Sequence, residues 1–227
     1  ESNGSYTVTS ADGLMNIAEL VNGGKSDINI TLTADIDLTG KDWTPIGTDY
    51  DNSYKGTFDG GGHTITGLTF TTNDEYAGLF GWLNRAGTVK NVVMEGVQIT
   101  SNQIYGGSIG GVVGSGWGTI ENCSVSGSVS GTVYVGGVVG VQIGGSITGC
   151  SSSATVKGTV DVGGVAGQTN SSATLTACYA TGNVIIEMAP KKNIAGGGLV
   201  GMNAGSSLLA CYATGNVTST GSSTGYV

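Results

Sequence analysis

Arginine occurs once, at Arg85, histidine once, at His63, and proline twice in 227 residues. With only eight basic side chains the chain has no cluster that could neutralise a run of phosphates, which excludes nucleic acid as a partner. Anionic membrane surfaces are disfavoured for the same reason. Two prolines exclude collagen and polyproline architectures, although glycine reaches 43 residues. No apolar run approaches the ~18 residues that a membrane-spanning helix needs, so no membrane insertion is expected. Charged residues make up 11% and hydrophobic ones 38%, the opposite of a disordered composition. The chain shows no secretory leader and opens at Glu1 without an initiator Met, which points to a mature product or an excised piece.

The charge that is present is lopsided. Residues 1–75 carry 12 acidic and 3 basic side chains, while residues 76–227 carry 4 and 5. The four cysteines, Cys123, Cys150, Cys178 and Cys211, are 27, 28 and 33 residues apart. They form no C-x-x-C pair and have no nearby histidine, so no zinc site is expected.

That spacing is the period of an internal repeat. Five glycine-framed apolar cores recur, at Ala77–Gly81, Gly110–Gly114, Gly136–Gly140, Gly163–Gly167 and Gly197–Gly201. Their final glycines are 33, 26, 27 and 34 residues apart. After each core comes a small polar residue and an aliphatic one, as in Thr119-Ile120 or Ser146-Ile147. Three residues beyond that aliphatic stand Val92, Cys123, Cys150, Cys178 and Cys211, read here as one ladder of core residues. Beyond them the small residues alternate with period two, as in Cys178, Ala180, Gly182 and Val184, which is the strand period.

Repeats of this length with two or three short strands each are the coils of a parallel β-helix, in which equivalent strands stack at roughly 4.8 Å. A propeller blade would need four strands in about 40–45 residues. The fold class expected is therefore all-β, a right-handed parallel β-helix with a short N-terminal capping helix. The three-residue step from aliphatic to ladder requires a bend, held by Asn91, Asn122 and Gly149, which tolerate left-handed geometry. Ala177 and Ala210 at the same place argue against a fixed left-handed residue there. Val97 and Ile99 break phase with Val92 and Met94, which predicts a bulge. Segments 101–109 and 185–195 read as loops, the second carrying Met188-Ala189-Pro190-Lys191-Lys192.

At the N-terminus, Ser10 reads as the N-cap of an amphipathic helix that stops at Asn22-Gly23-Gly24. Its Leu14, Ile17, Leu20 and Val21 would close the tube. Ile28 to Leu38 alternates over eleven residues and predicts a strand. The C-terminus, Gly225-Tyr226-Val227, carries no cap, which suggests further coils or a covering partner. We divide the single β-helix domain, 1–227, into a cap over 1–25, N-terminal coils over 26–76 and repeat coils over 77–227.

The cores Gly78-Leu79-Phe80-Gly81 and Gly198-Leu199-Val200-Gly201 resemble the GLUG motif, named for Gly-Leu-hydrophobic-Gly. The run from Leu32 to Leu38, Trp43 to Gly47 and Gly56 to Ile65 is similar to the coils that precede such repeats in bacterial surface proteins. The resemblance covers about residues 6–227, although three of the five cores carry Val in place of Leu. It implies a right-handed β-helix in secreted or surface-attached bacterial proteins, including adhesin-like ones. Beside IgA-cleaving metallopeptidases such repeats are not the catalytic part. The family supplies no catalytic residues to carry over.

Candidate chemistry is sparse. His63 follows a glycine turn and reads as a turn-exit side chain. Asp49, Asp51 and Ser53 offer oxygens at alternate positions, but an EF-hand would need Gly and an acid where Tyr54 and Gly60 stand. They remain the calcium candidates of the chain. Beyond residue 75 the only acids are Glu95, Glu121, Asp161 and Glu187, too scattered for a paired-carboxylate hydrolase. Tyr179 and Tyr212 should face outward in adjacent coils and stack, the binding candidates of the chain. The reading is a non-catalytic, secreted or cell-surface bacterial domain for adhesion, with an extracellular glycan or protein ligand and no cofactor. A polysaccharide-active enzyme of the same fold, or a passive spacer, are the alternatives.

Overall fold

The computed structural model describes residues 4–189 and 194–221. The chain winds into a parallel β-solenoid of about 6 turns. Among the described residues two sheets of 11 strands and one of 5 form its walls. The first sheet stacks, among others, Asn29–Leu32, Thr57–Asp59, Thr88–Lys90, Thr119–Glu121, Val139–Thr148 and Ala166–Thr176. The second contains Val93–Ser101, Ser124–Ser130, Ser151–Ser152, Tyr179–Ala180 and Tyr212–Ala213. The third is short, running from Tyr76–Ala77 through Ser108–Gly110, Val133–Gly136 and Val160–Gly163 to Gly196–Gly197.

The core is a set of side-chain ladders. Ile30, Phe58, Val89, Ile120, Ile147, Leu175 and Leu208 stand in register along the first sheet. Phe80, Val113, Val139, Ala166 and Val200 form a second ladder on the same sheet. The bulkiest buried side chains cluster in the early coils, where the Phe80 ring packs against both Tyr54 and Phe58. Later coils use Val, Ala and Cys.

The glycine cores mark where the third sheet turns into the first. A Cβ on Gly140 would stand 2.5 Å from the backbone N of Ile109, and one on Gly167 2.6 Å from that of Val135. Both contacts are with the preceding coil, and real Cβ atoms do not come that close. The last glycine of each core therefore repeats because backbone lies against backbone there.

At the next corner all five bend residues take left-handed geometry: Asn91, Asn122, Gly149, Ala177 and Ala210, with φ between 51° and 63°. The two alanines thus depart from the sequence expectation. Stacking holds them, because each bend must repeat the path of its neighbours to keep the ladders in register. The run Ile28 to Leu38 is also not one strand. It breaks after Leu32 and resumes at Ile36–Asp37 on the second sheet, so its alternation continues around a corner. The bulge expected between Met94 and Val97 is present as a register shift.

The helix Ala11–Asn22 sits at the N-terminal end. Ser10 Oγ accepts the Gly13 N–H at 3.2 Å, and Gly23 follows the last turn. Leu14, Ile17, Ala18 and Val21 are buried against the first coils and Leu20 partly so. Burial of each large aliphatic contributes roughly 1.5–3 kcal/mol. No helix among the described residues is long and apolar enough to cross a membrane. The basic pair Lys191-Lys192 and the terminal Gly225-Tyr226-Val227 lie outside the described residues.

Candidate functional site

Side chains alternate across the second sheet, so one outward column runs through Val93, Ser124, Ser151, Tyr179 and Tyr212 in register. Stacked coils place equal residues at strand spacing, and the two tyrosine rings lie face to face, 5.2 Å between centroids and 5° between planes. Tyr179 is 38% exposed and Tyr212, one coil on, 54%. On its other side Tyr179 is followed by two serines, whose short side chains leave the column empty where further rings would stand. A cavity of about 250 Å³ occupies that gap, with Tyr179 at one end, Val93 and Glu95 at the other, and Ser124, Ser151 and Ser153 among its lining residues.

The lining is hydroxyl-rich and, among the described residues, holds no cationic side chain. Its only ionisable groups among the described residues are the Glu95 carboxyl and the Tyr179 phenol. Ser126 Oγ accepts the Gly96 N–H at 3.1 Å. Among the described residues the hydroxyls of Ser124 and Ser151 have no hydrogen-bond partner. A flat apolar ring face beside unpaired hydroxyls suits a ligand with an apolar ring face and hydroxyl rim.

The remaining candidates lie elsewhere. Asp49 caps its own loop, accepting from the side chain of Asn52, the backbone N–H groups of Asp51 and Asn52, and the Thr48 hydroxyl. These donors, the Asn52 amide foremost, hold its carboxyl below the usual range. Ser53 is buried and accepts from Asn84, while Asp51 is exposed. His63 lies 3.3 Å from Asp35, and the neighbouring Asp59 takes Lys90 and Asn91. Glu121 stands on the first sheet, Asp161 on the third, and Glu187 pairs with Lys157.

Val92, Cys123, Cys150, Cys178 and Cys211 occupy one rung position, each followed by a residue whose N–H or C=O bonds to the neighbouring coil. The first four are buried and Cys211, in the last described coil, partly so. All four thiols are free. Burial pushes Cys178 up to about 12, and the contact with Cys123 together with burial raises Cys150.

One cluster escaped the sequence reading. Trp82 carries Tyr76 on one contact (4.5 Å, edge-on), Trp117 on another (5.5 Å), and Tyr50 touches both tryptophans. Within the repeat Trp82 aligns with Ser115, not Trp117, so repeat comparison does not bring the indoles together. Their size does. The only available signal was the rarity of tryptophan, three in the chain.

Residues 105–130 and 131–157 match the GLUG motif, and these segments hold two of the cores in which Val replaces Leu. The chain is 38% identical over 120 residues to halomucin of Haloquadratum walsbyi, which is 48% of this chain and 1% of that protein. It is also 38% identical over 100 residues to a protein of Evansella cellulosilytica described as a putative Gly-rich membrane protein, 43% of this chain and 11% of that one. The chain thus spans only a small part of either relative. Among solved structures it resembles a putative immunoglobulin A1 protease from Bacteroides ovatus, with a TM-score of 0.77 and 25% identity over 95% of this chain and 67% of that one. The protein carries GLUG repeats on a β-solenoid.

Proposed function

We propose that this is a non-catalytic, cell-surface β-helix domain that binds an extracellular glycan in the groove beside Tyr179. The names of the two relatives, a halomucin and a Gly-rich membrane protein, support a surface setting. The carrying observation is the interrupted tyrosine column: Tyr212 covers one face of Tyr179, and the other borders a hydroxyl-lined gap. A pyranose entering that gap stacks as the next rung and meets the serine hydroxyls at its rim. Non-catalysis is supported by the single carboxylate among the described lining residues, since a glycosidase needs two flanking the bond.

The test is an array of glycans and matrix proteins probed with the wild-type chain, Tyr179→Ala and Ser151→Tyr. Ser151→Tyr extends the ring column and fills the gap without touching the core. Glycan signal that disappears in both variants supports the reading. Signal that survives Ser151→Tyr places the ligand elsewhere, and signal only on matrix proteins replaces the glycan with a protein ligand.

A further inference from the structure

The third sheet begins at Tyr76–Ala77, which pairs with Ser108–Gly110 and has no strand on its other side among the described residues. Ala77 is buried there and the Gly78 carbonyl accepts the Trp43 indole N–H at 3.2 Å, so the accessible part of this edge is at Tyr76. In the coils before it the chain follows an irregular path from Leu38 to Gly56 instead of adding a strand there. Along this path lie three adjoining cavities of about 250, 350 and 240 Å³. Asp42, Trp43 and Thr44 line the first two, and Pro45 and Asp74 line the second and third. Together they make a groove that ends at Tyr76.

Its charge is of one sign. Glu19, Asp42, Asp49, Asp74 and Glu75 line the three cavities, and among the described residues no Lys, Arg or His does. The ion pairs among the described residues engage other acids, namely Asp12, Asp35, Asp59 and Glu187. Near the edge the acids accept from neutral donors: Asp74 from the Thr72 hydroxyl at 2.7 Å and Glu75 from the Tyr76 hydroxyl at 2.6 Å. The carboxylates spread along the groove, and no group among the described residues converges in a way that could hold a metal ion.

We propose that this groove docks an extended, lysine-rich segment of a partner protein. Its backbone adds a strand at the open edge of Tyr76, and its ammonium groups meet Asp49, Asp74 and Glu75. An open strand edge recruits extended peptide because the backbone groups on that side await partners. Uncompensated carboxylates choose a cationic peptide, speed its approach and repel acidic ones. Trp82, packed edge-on against Tyr76, keeps the edge strand in place.

The test is fluorescence anisotropy at low salt with a labelled peptide of alternating lysine and threonine. Two companions accompany it, one with glutamate for lysine and one N-methylated at alternate amides. The expected result is binding of the lysine peptide alone, weakened about tenfold or more by the triple variant Asp49→Asn, Asp74→Asn, Glu75→Gln. N-methylation should cause a comparable loss, and Tyr179→Ala none. A circular dichroism melt checks that the triple variant is folded, and Asp74→Asn alone provides a milder second variant. Absence of binding by the lysine peptide overturns the proposal. So does equal affinity for the triple variant, equal affinity of the N-methylated peptide, or a loss in Tyr179→Ala. Glycan binding beside Tyr179 is read separately and stands or falls on its own.

Discussion

The backbone N–H of Cys123 donates to the sulfur of Cys150 in the following coil, 3.4 Å away, and Cys178 stands in the same relation to Cys211. At this corner the chain has just passed a left-handed residue, and the sulfur serves a donor that the sheet ladder does not. Each thiol in turn reaches carbonyls, as Cys150 does to Thr148 at 3.4 Å. The cysteines are therefore both apolar filling and corner hydrogen-bond partners.

Thiol reactivity should follow burial. Iodoacetamide at pH 8 should label Cys211 first and leave Cys123, Cys150 and Cys178 unmodified until the chain unfolds, because packing shields their sulfurs from the reagent and burial raises the Cys178 thiol further. Peptide mass mapping over time reads the order, and early labelling of Cys150 would contradict the ladder. Cys150→Val keeps the packing but removes the acceptor of the Cys123 N–H. It should cost about 1 kcal/mol in urea denaturation.

Ala177 has a φ of 53° where Gly149 occupies the equivalent corner one coil earlier. Left-handed geometry costs an L-residue roughly 1–2 kcal/mol, partly offset by the extra freedom that glycine has in the unfolded chain. Ala177→Gly should therefore stabilise the protein by about 0.5–1 kcal/mol, and Ala177→Val should destabilise it. A shift of the urea midpoint in the opposite sense would show that the corner is not strained.

Gly140→Ala should act the other way. The added methyl would stand 2.5 Å from Ile109 N and 2.6 Å from Gly114 O, both backbone atoms that cannot swing aside. A loss of about 3 kcal/mol is expected from overpacking of this kind, read from the denaturation midpoint. A near-neutral result would mean that the coils can separate at this corner.

Asp161 is 5% exposed, and burial raises its carboxyl above the usual range. A raised folded-state value means that the folded form holds the proton more tightly than the unfolded one. The resulting stability is complete below the unfolded value and is lost as pH rises through the folded one. At neutral pH the charged carboxylate is thus a penalty. Asp161→Asn should stabilise the chain at pH 7 and gain less at pH 3, where only the preference of Asn for its left-handed φ of 51° remains. Equal gains at both pH values would assign the whole effect to the backbone.

Much of this was legible from residue order. The period of the Gly140 and Gly167 cores announced stacked coils, the alternation of Cys178, Ala180 and Val184 announced an inward strand face, and Ser10 with Gly23 bounded the helix. Those signals are local, and each repeat restates them. The left-handed Ala177 was not legible, because alanine has no preference for that geometry and takes it only under the constraint of the coils on either side. Nor was the gap below Tyr179, which exists because Ser151 and Ser124 happen to stand in register beneath it.

Glycine recurring at a set interval, with small apolar residues between, leaves a chain little choice but to wind and stack, since only backbone-on-backbone contact has use for so many missing side chains. That much residue order determined by itself. Where the third sheet starts, which rings meet around Trp82, and which carboxylates line one groove were decided in three dimensions. Those outcomes depend on coil-to-coil register and side-chain reach, and no segment of the chain carries either one alone.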